Sequence, residues 1–249
     1  MPLVTVATQP VYGLSGRTAI ACSQLVMATP GLIGYWRLNE NTGTTAADRL
    51  GVRTLTAAGT VTVGQPGPFA GGGSFLFGGG YISGAALGAY SKLTVEAWVR
   101  TTVIDGARHA IYSDRGTGIL FMTGPCIIGG GAAYNLVVEQ DASSVAYGRG
   151  SVDSPLNDGL WHHIAGVIDG TVGSVARADF RLYTDGSEAT YSDETYTGSY
   201  NWPSTPATFR IGQTTSNDRP WSGNIAEVAI YSRALTSAEI RTHANALRR

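Results

Sequence analysis

Apolar and polar positions alternate along most of the chain, most cleanly over residues 92–100. There Leu93, Val95, Ala97 and Val99 fall on one side, and Thr94, Glu96, Trp98 and Arg100 on the other. Successive side chains of a strand point to opposite faces. The pattern therefore predicts a strand whose first set faces a core. Its second set faces a half-wet surface, with Trp98 exposed or half-buried. Residues 161–168, Trp-His-His-Ile-Ala-Gly-Val-Ile, predict another strand from their alternation and their β-branched and aromatic content. Tyr183-Thr184-Asp185-Gly186 ends on Asp-Gly, a pair whose tolerance of positive φ suits a tight hairpin.

Shorter runs of the same kind occupy residues 33–38, 55–63, 74–77, 81–82, 109–113, 119–123, 126–129, 135–139, 144–147, 180–184, 189–191, 208–211 and 224–231. Many short strands joined by turns predict an all-β, two-sheet antiparallel sandwich. One helix is predicted, at the end of the chain. Thr236-Ser237-Ala238-Glu239 is a capping box. Ile240, Ala244 and Leu247 then share one helix face. Residues 1–30 stand apart as an N-terminal arm. Two apolar runs, 3–7 and 19–28, flank Gly13, Ser15 and Gly16, and Arg17 is the arm's one charge. Such an arm needs anchoring on its own domain or on a neighbour. Residues 31–249 form one domain.

Composition sharpens this picture. Charged residues make up 14% of the 249 positions, against about 25% in ordinary globular proteins. Glycine occurs 34 times, about twice its usual share, as many tight turns require. The formal net charge of −1 gives no electrostatic support for nucleic-acid binding. Cys22 and Cys126 are too few for a disulfide framework or a zinc site, leaving two buried thiols or one disulfide. No apolar run reaches the ~18 residues of a membrane span. The N-terminus lacks a basic start, and Gln9 and Pro10 interrupt its first apolar run, so no secretory signal is expected.

Several segments together resemble a known family. They are Gly34-Tyr35-Trp36-Arg37-Leu38-Asn39-Glu40 with Gly43 and Asp48, the strand Leu93-Thr94-Val95-Glu96-Ala97-Trp98-Val99, and Trp161-His162-His163-Ile164-Ala165-Gly166-Val167 with Tyr183 and Asp185-Gly186. Ile211-Gly212 follows. The closing block starts at Trp221-Ser222-Gly223-Asn224-Ile225-Ala226-Glu227-Val228 and runs through Arg233-Ala234-Leu235-Thr236 to Glu239-Ile240. In order and spacing, over about residues 31–246, these are similar to the laminin-G-like jelly rolls of the concanavalin A-like lectin and glucanase superfamily. The resemblance implies a jelly-roll sandwich and no single activity, because one fold hosts many functions. Members include sugar-binding modules, adhesion domains and bacteriophage tail or capsid-surface proteins.

Glycoside hydrolysis needs two carboxylates about the scissile bond. The superfamily's glucanases use a Glu-x-Asp-x-x-Glu strand pattern that does not occur here. Glu96 and Glu227 each lack an acidic neighbour at strand spacing, so no enzyme is expected. His162 and His163 are adjacent on a strand and must point to opposite faces, which makes a shared metal ion difficult.

The resemblance implies a calcium site at the sandwich rim. Asp48 with Gly51 matches the family's Asp-x-x-Gly, Asn39 and Glu40 lie nearby, and Glu227 is the partner on the closing strand. Calcium takes 6–8 oxygens, which loops can supply. Arg49 and Arg53 flank the site, and Ala226 stands where an acidic residue is frequent. Asp48 acting only as a turn cap is the alternative.

Tyr196, Tyr200 and Trp202 lie in a Ser-, Thr- and Gly-rich stretch, and Trp221 follows the polar run 214–220. Together these four are the candidate sugar-stacking platform. The expected function is a non-catalytic virion structural or adhesion protein, a phage capsid decoration or tail component. It is made in the host cytoplasm, and its arm joins neighbouring virion subunits or further copies of itself. The alternative is a soluble carbohydrate-binding module, calcium-dependent if the rim site is filled. A host-surface glycan fits both. Membrane insertion and nucleic acid fit neither.

Overall fold

The computed structural model describes residues 19–88, 90, 92–103, 105, 107–114, 119–124, 135–140, 147–151, 156–169, 179–196 and 208–246. Two antiparallel sheets face each other. In sheet I the central strand β7 (Leu93–Arg100) lies between β12 (His162–Ile168) and β17 (Ser222–Tyr231). Beyond β12 come β13 (Phe180–Thr184) and β14 (Ser187–Glu188). Beyond β17 come β5 (Gly73–Gly78) and β4 (Val61–Pro66). Strand β1 (Leu32–Trp36) also pairs with β17.

Sheet II runs in the order β10 (Asn135–Gln140), β9 (Ile119–Gly124), β8 (His109–Ser113), β16 (Thr208–Ile211), β6 (Tyr81–Ala85), β3 (Leu55–Ala58) and β2 (Thr45–Ala46). Strands β11 (Tyr147–Ser151) and β15 (Tyr191–Tyr196) form a separate ribbon. The architecture is the expected jelly-roll sandwich.

Local sequence explains several boundaries. The run 55–63, read as one strand, is two. The chain turns at Gly59, where φ is +70°, so β3 joins sheet II and β4 joins sheet I. Asp185 and Gly186 both adopt positive φ, 54° and 80°, and close the β13–β14 hairpin. Strand β17 changes neighbour along its length. Residues 222–225 pair with β5, and residues 228–231 pair with β1. The switch coincides with a bulge between Ala226 and Ala229, where Glu227 takes φ 51°. A bulge re-aims a side chain in this way. The expected strand at 126–129 lies outside the described residues.

Leu93, Val95, Ala97 and Val99 of β7 face the inter-sheet core, as the alternation predicted. Trp36, Phe75, Phe77, Tyr112, Phe209 and Trp221 join them there. The other face of β7 departs from expectation. Trp98 and Glu96 are buried, because two helices cover this side of sheet I.

Helix α1 (Ala19–Ala28) takes up the second half of the predicted arm and packs Cys22 and Val26 against Tyr35 and Tyr231. Helix α2 (Ser237–Asn245) follows the predicted capping box at Thr236 and buries Ile240, His243 and Ala244. The sandwich thus has one helix-covered flank. Among the described residues, no helix is long and apolar enough to cross a membrane.

Candidate functional site

The loop after β1 is organised by Asp48. Its Oδ1 accepts from the backbone N–H of Tyr35 (3.1 Å) and Leu50 (3.0 Å). Its Oδ2 accepts from those of Val52 (3.3 Å) and Arg53 (3.1 Å). Gly51, at φ 72°, donates back to the Asp48 carbonyl at 2.9 Å. Arg53 then bonds the carbonyls of Ile33, Ala86 and Leu87. Both Asp48 oxygens are thus engaged by backbone donors, which is the work of a turn cap.

Glu40 Oε1 accepts from Ala47 N–H at 2.8 Å, while its Oε2 is buried without a partner. Asn39 is exposed beside them. Glu227 lies elsewhere, on the helix-covered side, bonded by the Tyr35 hydroxyl and by Arg37 Nε at 3.1 Å. Tyr35 touches Asp48 with its backbone and Glu227 with its phenol, so the length of a tyrosine separates the two carboxylates. The four candidate calcium ligands are therefore not drawn into one cradle. Among the described residues, no group of three or more His, Cys, Asp or Glu side chains is placed to hold a metal.

Trp221 belongs to the core. It is 1% exposed within the inter-sheet cluster and offers no face to a sugar. Its apolar bulk fills the space between the sheets, an outcome that the polar run before it concealed. Tyr196 ends β15, and its side chain, like Tyr200 and Trp202, lies outside the described residues.

The histidine pair splits between two environments. His162 is clamped by Asp185 at 2.9 Å and Asp158 at 3.0 Å. Burial pulls its pKa down, but the two carboxylates outweigh burial and hold it above the ordinary imidazole value. His163 points under the helices, with Nε2 3.4 Å from Glu96 Oε2. Glu96 also receives the Tyr231 hydroxyl at 2.9 Å and His243 Nδ1 at 2.9 Å. The carboxylates of Glu96 and Glu227 thus face packed helices and serve as internal anchors.

The outer side of sheet II differs, among the described residues, from the helix-covered flank. Register places Thr45 opposite Thr56, Thr56 opposite Ser83, Ser83 opposite Arg210, and Arg210 opposite Ser113. Cross-strand partners share a face, so these five residues form one polar row across β2, β3, β6, β16 and β8. Their apolar neighbours Leu55, Ile82, Phe209 and Ile211 point into the core. Thr45 and Thr56 are exposed, Ser83 and Arg210 half-buried, and Ser113 is covered. Alternation in each strand could have revealed the outward residues. Their alignment into a row depends on register, which no single segment displays.

The geometry agrees with comparisons to known proteins. A search of curated protein sequences finds no match. Among solved structures, one of botulinum neurotoxin type C, which depends on interaction with two ganglioside molecules to enter cells, is 12% identical with a TM-score of 0.63. The alignment covers 90% of this chain and 52% of that one. The binding domain of Paraclostridial Mosquitocidal Protein 1 is 13% identical, TM-score 0.62, over 89% of this chain and 53% of that one. Domain 4 of AbnA, an extracellular arabinanase from Geobacillus stearothermophilus solved with arabinotriose, is 20% identical, TM-score 0.59, over 86% and 98%. The chain therefore spans about half the length of the two toxin structures and nearly all of the arabinanase domain. At these identities the likeness concerns fold. The sequence itself matches a family model over residues 77–241, and the chain belongs to the concanavalin A-like lectin/glucanases superfamily.

Proposed function

We propose that the protein is a non-catalytic recognition module that binds glycan on the open face of sheet II. The asymmetry of the sandwich carries this reading. Two helices cover sheet I, whereas among the described residues the outer side of sheet II leaves the hydroxyls of Thr45, Thr56 and Ser83 and the Arg210 guanidinium at least partly accessible. Convergent polar groups on a fixed scaffold suit a ligand made of hydroxyls. The arabinotriose held by the arabinanase domain and the gangliosides needed by the neurotoxin support it by analogy. A broad glycan array probed with the intact chain tests the proposal, followed by Thr56→Tyr and Ser83→Tyr, which fill the row. Binding should fall at least tenfold in both variants while their melting temperatures stay put. Undiminished binding in both would remove this face from consideration.

A second reading sets the same module on a virion, as a phage capsid decoration or tail component assembled with neighbouring subunits or with further copies of itself. The outer side of α1 favours it, since Leu25 and Met27, within the predicted arm, are 37% and 40% exposed. Apolar side chains left outside a covering helix suit a subunit contact. Leu25→Glu with Met27→Glu should then lower the oligomeric state in sedimentation without unfolding the domain. An unchanged oligomer would count against assembly through this helix.

A further inference from the structure

We infer that the glycan bound on sheet II carries a carboxylate, and that Arg210 receives it. The inference rests on the glycan-binding reading and adds its ligand class and its specificity residue. Arg210 projects from β16 between Ser83 and Ser113. Its guanidinium carbon lies 3.8 Å from the centre of the Tyr81 ring, a cation–π stack. Nη1 donates to the Thr214 carbonyl at 2.8 Å and to Asn217 Oδ1 at 2.7 Å. Ring and acceptors together fix the plane of the guanidinium before any ligand arrives.

The partners are all neutral. Arg37 pairs with Glu227, Arg181 with Asp169, and Arg233 with Glu239. Arg210 has no carboxylate partner among the described residues, and the nearby Asp218 accepts from the Thr214 hydroxyl. With Nη1 occupied, Nε and Nη2 remain. These two lie on one edge of the guanidinium and form the two-point fork that matches a carboxylate. The loop 213–219 that supplies Thr214 and Asn217 is itself held in an unusual shape. Asn217 and Arg219 sit at φ 61° and 53°, and Thr214 bonds Asp218 through both backbone and side chain. Left-handed backbone in residues other than glycine persists where the surroundings enforce it, often at ligand clamps.

A pre-set cation with an open fork, beside the Ser83 and Thr56 hydroxyls at strand spacings of roughly 5 Å, fits an acidic sugar next to neutral ones. Uronic acids and nonulosonic acids both supply such a carboxylate.

Titration calorimetry with the full chain tests this. The probes are oligogalacturonate against its methyl-esterified form, and 3′-sialyllactose against lactose. At least one acidic member should bind tenfold or more tightly than its neutral counterpart, with affinity falling as salt rises. Arg210→Gln should abolish the preference, and Arg210→Lys, which keeps the charge but lacks the fork, should restore it only in part. Equal binding of acidic and neutral partners, or a preference that survives Arg210→Gln, would overturn the inference and leave glycan binding standing. Binding of none of these probes, nor of any glycan on the array, would overturn both.

Discussion

His243, near the end of α2, places Nδ1 2.9 Å from Glu96 Oε1 on the central strand β7 and Nε2 2.8 Å from the Thr29 hydroxyl just beyond α1. The Thr29 hydroxyl proton is spent on the Leu25 carbonyl at 2.9 Å, so its oxygen accepts from Nε2. Glu96 accepts at Nδ1. This arrangement favours hydrogen on both ring nitrogens, the imidazolium form, in the same sense as the raised pKa. One charged side chain ties both terminal helices to sheet I. Burial opposes the charge on each partner, but the pairing wins on both sides. The His243 pKa is raised, and that of the Glu96 carboxyl is held below the usual carboxylate range.

Stability should accordingly depend on pH. A histidine whose folded pKa exceeds the unfolded value, about 6.5, contributes fully below that value. The contribution is lost as pH rises through the folded pKa. His243 and His162 act in the same sense. Urea midpoints measured from about pH 5 to about pH 9 should decline on the alkaline side. His243→Gln should lower the acidic plateau and flatten the decline, leaving the His162 part. A wild-type midpoint that rises over this range would refute a charged His243.

Cys22 reports on the docking of α1. Burial, with Glu227 and Glu96 nearby, raises the pKa of its thiol, so little reactive thiolate is present. In a Cys126→Ser background, labelling by a thiol reagent should wait for unfolding or for detachment of the helix. Val26→Asp puts a charge into the cluster beside Tyr35 and Tyr231 and should accelerate labelling by an order of magnitude or more. Fast labelling of the unmodified helix would mean that α1 does not stay on sheet I.

The same helix marks how far the sequence could be read. Strand alternation placed β7, β8, β12, β13 and β16 correctly, because a period of two persists in each segment alone. The capping box at Thr236 was equally local. Residues 19–28 are apolar on nearly all sides, so no periodicity identified a helix. Missing that cover also misplaced Glu96 and Trp98, whose side of β7 looked half-wet when considered without its neighbours. Asp48 was legible as a residue of importance. Whether it would cap a turn or ligate calcium depended on the path of the backbone through residues 50–53. The polar row on sheet II needed register, and Arg210 needed Tyr81 from another strand.

Asp48 accepts from four backbone donors, so Asp48→Ala should cost about 1–3 kcal/mol as buried N–H groups lose their partner. The loss should be the same in calcium and in chelator, measured as the melting temperature under each condition. If calcium raises the melting temperature of the unaltered chain and Asp48→Ala removes that increment, the carboxylate serves a metal after all.

Trp221 separates a structural role from a binding one. A sugar platform predicts that Trp221→Ala folds normally and loses affinity. A ring 1% exposed between the sheets predicts a large cavity, with about 3–5 kcal/mol of destabilisation. Any loss of binding should then follow the unfolded fraction. Trp221→Phe decides the matter, because it keeps most of the apolar volume and drops only an indole N–H that is buried without a partner. This variant should be destabilised far less than Trp221→Ala and should keep its glycan affinity within about twofold, a factor worth under 0.5 kcal/mol. The same array signal tested with Arg210→Gln provides the contrast, since that residue lies on the open face and its loss should weaken binding while the melting temperature stays near that of the parent. If Trp221→Phe instead loses affinity with its stability intact, the ligand touches the indole directly, and the purely structural reading of Trp221 fails.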